Sequence, residues 1–69
     1  MKLSARKKEI LAMVARGYTD KEISVELDIS MRTVQTHISS IVSKLNARNR
    51  VNAVALYIHS NPGWKFYMR

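Results

Sequence analysis

Five residues close together in the chain, Arg32, Thr33, Gln35, Thr36 and Ser39, are short or neutral polar donors joined by one guanidinium. A glutamine can hold an adenine edge through paired hydrogen bonds. A threonine offers a methyl and a hydroxyl to thymine or to other base edges. No carboxylate stands among the five to repel a phosphate. The same residues would also suit an ordinary solvated helix face, so their surroundings must decide.

Charge is the first of those surroundings. Twelve Lys and Arg stand against five Asp and Glu in 69 residues, a formal charge of +7. Residues 1–28 hold six basic and five acidic side chains, a net +1, whereas residues 29–69 hold six basic and no acidic ones, a net +6. A domain with one strongly basic half points to a polyanion as partner. Charge alone does not separate nucleic acid from an anionic membrane surface. The longest apolar run, Ala53 to Ile58, is six residues, where a membrane span needs about twenty. No membrane partner and no targeting segment are expected, and a cytoplasmic location is.

The elements that must position the five residues are all helical. The first helix runs from about Ala5 to Arg16, with Ser4 as N-cap and Gly17 as its stop. The second opens on Thr19-Asp20-Lys21-Glu22, a capping box, and ends near Asp28. The third starts from Ser30, with Val34, Ile38, Ile41 and Leu45 recurring at i, i+4, i+7 and i+11, and stops at Asn46. The fourth follows Asn49 and reaches about Ser60. On it Val51, Val54, Ala55 and Ile58 are expected to seat the helix on the core. Ala53, Leu56 and Tyr57 form a second apolar stripe, expected to face outward as a contact surface or, in the rival reading, to be covered by the tail from Trp64 folding back. Asn61-Pro62-Gly63 then turns the chain into an aromatic and basic end. The fold expected is all-α, a four-helix helix-turn-helix domain over residues 1–60 with a short C-terminal tail over 61–69.

The second and third helices are joined by the tight link Asp28-Ile29-Ser30, the frame of a helix-turn-helix. Ile29 can plug the angle between them, and the small Ser24 lets them approach. In that frame the third helix, residues 31–45, enters the major groove.

The chain at this point resembles the LuxR-type (GerE-like) helix-turn-helix family, the output domain of many response regulators. The resemblance rests on Leu3-Ser4-Ala5-Arg6, Glu9-Ile10-Leu11, Ala15 to Ile23, Leu27 to Ser30, Thr33 to His37, Lys44-Leu45 and Arg48 to Val51. It implies transcription regulation by a DNA-binding dimer. Gln35, Thr36 and Ser39 fall where such domains read bases. Thr19, Lys21, Thr33, His37, Lys44 and Arg50 fall where they hold the DNA backbone, and Arg32 is placed with them. The fourth helix is the family's dimer contact, a role that the Ala53, Leu56, Tyr57 stripe suits. Three positions depart from the family pattern. Lys7 replaces a Glu and removes a capping box from the first helix. Asn46 replaces Gly, and Ser24 replaces Ala.

Other chemistry finds little support. There is no cysteine, and His37 and His59 lack metal-site spacing. No glycine-rich phosphate loop is present. No enzyme activity, metal or cofactor is expected. Two function classes remain: a double-stranded DNA-binding regulator acting as a homodimer, or a stand-alone module that pairs with a related regulator protein and blocks it. The second needs no base-reading face, yet the chain keeps one.

Overall fold

The computed structural model describes residues 2–67. Four polar residues open its four helices: Ser4 before α1 (Ala5–Ala15), Thr19 before α2 (Asp20–Leu27), Ser30 before α3 (Met31–Lys44) and Asn49 before α4 (Arg50–Ser60). Each has extended backbone, and each side-chain oxygen accepts the amide three residues on, satisfying a donor that the helix cannot pair itself. Thr19 and Glu22 complete a reciprocal capping box, at 3.1 Å and 2.8 Å. At α1 the third helical residue is Lys7, which has no acceptor to return the bond.

Three of the helices also stop in one way. Gly17, Asp28 and Asn46 take positive φ values of 92°, 55° and 54°. The amide after each reaches back to a carbonyl five residues earlier: Tyr18 to Met13, Ile29 to Ser24, Ala47 to Val42. This left-handed cap pairs carbonyls that would otherwise be orphaned. Asn46 takes the left-handed conformation for which the family's usual Gly is suited. At Asp28 the same cap sets the sharp link between α2 and α3.

The described residues form four helices and no strand. α3 packs against the other three helices, and α1 also packs against α4. The core is Leu3, Ile10, Leu11, Met13, Ile23, Val34, Ile38, Ile41, Ala53 and Tyr57. Full burial of side chains such as Ile10, Ile23 and Ile41 contributes about 1.5–3 kcal/mol each. Ser24 is buried beside them and satisfies its hydroxyl by donating to the Lys21 carbonyl at 2.7 Å. A larger residue there would push α2 from α3.

On α4 each expected apolar stripe is divided: Val54 packs against the core and Leu56 is exposed, as expected, but the other members exchange places. Ala53 and Tyr57 are buried, at 0% and 6% exposure, whereas Val51 is 75% exposed and Ile58 38%. Ala55 is exposed, Val54 half-buried, and Leu56 lies at the margin at 37%. Ala53 and Tyr57 thus face the core and not outward, whereas Leu56 is exposed as expected. Two features explain the burial of Ala53 and Tyr57. Ala53 is the small residue that allows close approach to the core. Tyr57 is covered by the tail, with the Trp64 ring standing edge-on at 4.7 Å and 85°. The turn at Asn61 brings Trp64 there, through Asn61 Nδ2 donating to the Tyr57 carbonyl and the Trp64 amide donating to the Asn61 carbonyl. Arg16 fastens the tail to the end of α1 by donating to the Phe66 carbonyl at 2.7 Å.

Candidate nucleic-acid interface

The period of α3 sorts its side chains into strips. With Val34, Ile38 and Ile41 buried, Arg32, Thr36 and Ser39, spaced four and three apart, lie on the outermost strip, and all three are exposed. Thr33, His37 and Lys44, spaced four and seven apart, share one flank. Gln35 stands on the other flank, also exposed. No residue of α3 is acidic, and Lys44 lies in its last turn, where the helix dipole favours a cation.

The hydroxyls on this face are partly engaged. Ser30 donates to Thr33 Oγ1 at 2.9 Å while accepting the Thr33 amide, and Thr36 donates to the Arg32 carbonyl at 2.9 Å. These bonds leave oxygen lone pairs as acceptors. To act as a donor to a base, the Thr36 hydroxyl must rotate away from its own helix.

The two flanks differ in their neighbours. His37 is half-buried and faces the positive charges of Lys7 and Arg6 on α1. Burial, and then those two cations, hold its pKa below the usual histidine value, so the ring is neutral at neutral pH. The folded value is depressed, so this contribution to stability is full above the unfolded value near 6.5 and is lost as the pH falls through the folded one. The Lys7 substitution thus adds a cation beside the outward helix, where the family pattern has a carboxylate.

On the other flank the first turns of α2 and α4 meet. Arg50 holds Asp20 with two prongs, Nη1 to Oδ1 at 2.5 Å and Nη2 to Oδ2 at 3.2 Å. The Arg50 hydrogen bond, against the opposing effect of burial, keeps the Asp20 carboxyl below the ordinary carboxylate range. Thr19 and Lys21, at the start of α2, are both exposed.

The structure therefore gathers the expected residues into two groups. Arg32, Thr33, Thr36, His37, Ser39 and Lys44 follow α3 itself. Arg50 pairs with Asp20, whose chain neighbours are Thr19 and Lys21, and Gln35 stands on the flank of α3 opposite Thr33 and His37. Sequence reasoning saw Asp20 only as part of a capping box. Its partner lies 30 residues away, and no local pattern signals that pairing. Among the described residues no group of three or more His, Cys, Asp or Glu is placed to hold a metal ion, and no helix is long and apolar enough to cross a membrane.

A capped helix pair with a tight left-handed link and an acid-free outward second helix defines a helix-turn-helix domain of the DNA-binding kind. The pattern of the bacterial regulatory proteins, luxR family, matches residues 1–57, and the chain belongs to that family. It is 49% identical over 59 residues to the transcriptional regulatory protein LiaR of Bacillus subtilis, covering 86% of this chain and 28% of LiaR. It is 41% identical over 59 residues to the response regulator protein VraR of Staphylococcus aureus, covering 86% of this chain and 28% of VraR. The chain thus spans less than a third of the length of these relatives. The solved structure of the transcription factor GerE superposes with a TM-score of 0.82 at 36% identity, covering 86% of this chain and 88% of that one.

Proposed function

We propose that this domain binds duplex DNA sequence-specifically as a transcription regulator, with α3 in the major groove and two copies paired through α4. The observation that carries the reading is the outward side of α3, an exposed polar surface without a carboxylate. Gln35, Thr36 and Ser39 read base edges, while Thr19, Lys21, Arg32, Thr33, His37, Lys44 and Arg50 hold the backbone. Phosphate contacts fix the register, and base contacts carry the sequence information. The names of the relatives, a transcriptional regulatory protein and a response regulator protein, support the same reading.

Pairing is assigned to the exposed apolar residues of α4, Leu56 together with Val51, Ala55 and Ile58, in place of the buried Ala53 and Tyr57. Exposed apolar patches of this kind mark contact surfaces. Two-fold pairing sets two recognition helices in successive major grooves, so the preferred site is an imperfect palindrome. Selecting bound duplexes from a random pool is the test. Enrichment of related half-sites at fixed spacing is the expected result. A pool that stays random after repeated rounds, from a folded chain that still pairs with a related regulator, would favour a blocking protein module instead.

A further inference from the structure

We infer that the tail over residues 61–67 is an autoinhibitory strap: it covers Tyr57 beside the exposed Leu56 and so keeps self-pairing through α4 weak. The inference rests on the pairing through α4 proposed above. Leu56 and Tyr57 are neighbours in one apolar stripe, yet Leu56 is 37% exposed and Tyr57 only 6%. Part of the cover over Tyr57 comes from the tail, where the Trp64 ring stands edge-on at 4.7 Å. The strap thus divides the stripe, closing one half and leaving the other open. The luxR-family pattern matches residues 1–57, so the strap lies beyond the shared domain.

The strap is held at defined points and is light enough to lift. Asn61 Nδ2 donates to the Tyr57 carbonyl at 2.9 Å, and the Trp64 amide donates to the Asn61 carbonyl at 2.9 Å. At the far end Arg16 Nη1 donates to the Phe66 carbonyl at 2.7 Å. The rings continue in series, Trp64 to Phe66 at 5.4 Å and Phe66 to Tyr67 at 5.5 Å. Against this, Pro62, Gly63, Lys65 and Tyr67 are exposed, and Trp64 and Phe66 are only half-buried. A segment with so little burial and no regular element opens locally, at a cost well below that of unfolding the domain. Opening adds Tyr57 to the apolar surface of α4 next to Leu56. A second copy that binds this open form better draws the strap off, and the cost of opening is subtracted from the strength of pairing.

Trp64→Ala in the full chain removes the cover from Tyr57. Sedimentation equilibrium without DNA is expected to show a dimer about tenfold tighter than that of the unsubstituted chain, since the cost of lifting the strap no longer opposes pairing. Adding Leu56→Lys cancels the gain, because it sets like charges across the enlarged contact. If Trp64→Ala does not fold, Arg16→Met keeps the side-chain stem, loses the bond to Phe66 and tightens the dimer in the same direction. In that variant the emission of Trp64, the one tryptophan of the chain, moves to the red as the strap lifts, and an emission that stays in place overturns the inference. A tail that merely stabilised the fold would lower the melting temperature and leave self-association unchanged. That result overturns the inference, as does a gain that survives Leu56→Lys. If the unsubstituted chain binds a palindrome without cooperativity while Trp64→Ala pairs, the pairing reading of the closed chain fails and the strap stands. If neither pairs, both fall.

Discussion

Raising the salt from 50 to 200 mM weakens duplex binding by about 150-fold per domain. The proposed interface sets four cations against phosphates of the selected site: Lys21, Arg32, Lys44 and Arg50. Each neutralised phosphate releases counterion, and the logarithm of affinity falls with the logarithm of salt at about −0.9 per contact. Four contacts give a slope near −3.6, which a fourfold rise in salt turns into that factor. A bound pair doubles the exponent and takes the loss to about 10⁴-fold. The exposed polar face of α3 adds hydrogen bonds that depend far less on salt, so the slope counts phosphates and not bases. Fluorescence anisotropy of a labelled duplex at several salt concentrations measures it. A flat dependence would show that the basic half of the chain, with six cations and no acid over residues 29–69, does not meet a polyanion.

The second large effect separates the two stripes of α4. Val51→Lys leaves the monomer folded, because Val51 is 75% exposed and surface changes are usually worth less than about 0.5 kcal/mol. It places two like charges across the proposed two-fold contact. Joint binding to a palindrome adds about 10²–10⁴ in avidity over one half-site, and most of that gain is expected to be lost. Affinity for a single half-site changes little. Ala53→Lys behaves differently, since Ala53 is fully buried and an unpaired charge there unfolds the domain. Melting curves and half-site titrations on both variants distinguish the stripes. If Val51→Lys still binds the palindrome cooperatively, pairing runs through another surface.

Helix boundaries were legible because each is set locally. A cap residue three positions before its amide, and a left-handed residue at the stop, are short-range features written in adjacent letters. The α3 core stripe was equally clear, since Val34, Ile38 and Ile41 repeat over a long helix with polar residues between them. α4 misled because both of its sides are apolar, so periodicity gives two answers. The choice between them came from Trp64, which follows the helix and caps Tyr57, and from the small volume of Ala53. Neither effect can be read from the helix by itself. The pairing of Asp20 with Arg50 was hidden for a similar reason, being assembled from two helices. By contrast, the outward residues of α3 could be named in advance, because the buried stripe fixes the opposite face.

The central claim is that α3 reads bases. Selection from a random duplex pool, run in parallel on the unsubstituted chain, Gln35→Ala and Lys44→Ala, tests it most directly. Removing a base contact costs about 1–3 kcal/mol at one position, whereas removing a phosphate contact weakens all sequences alike. The account predicts that Gln35→Ala changes the enriched base at one position of each half-site, and that Lys44→Ala enriches the same sequences at lower affinity. An unchanged profile from Gln35→Ala would contradict it.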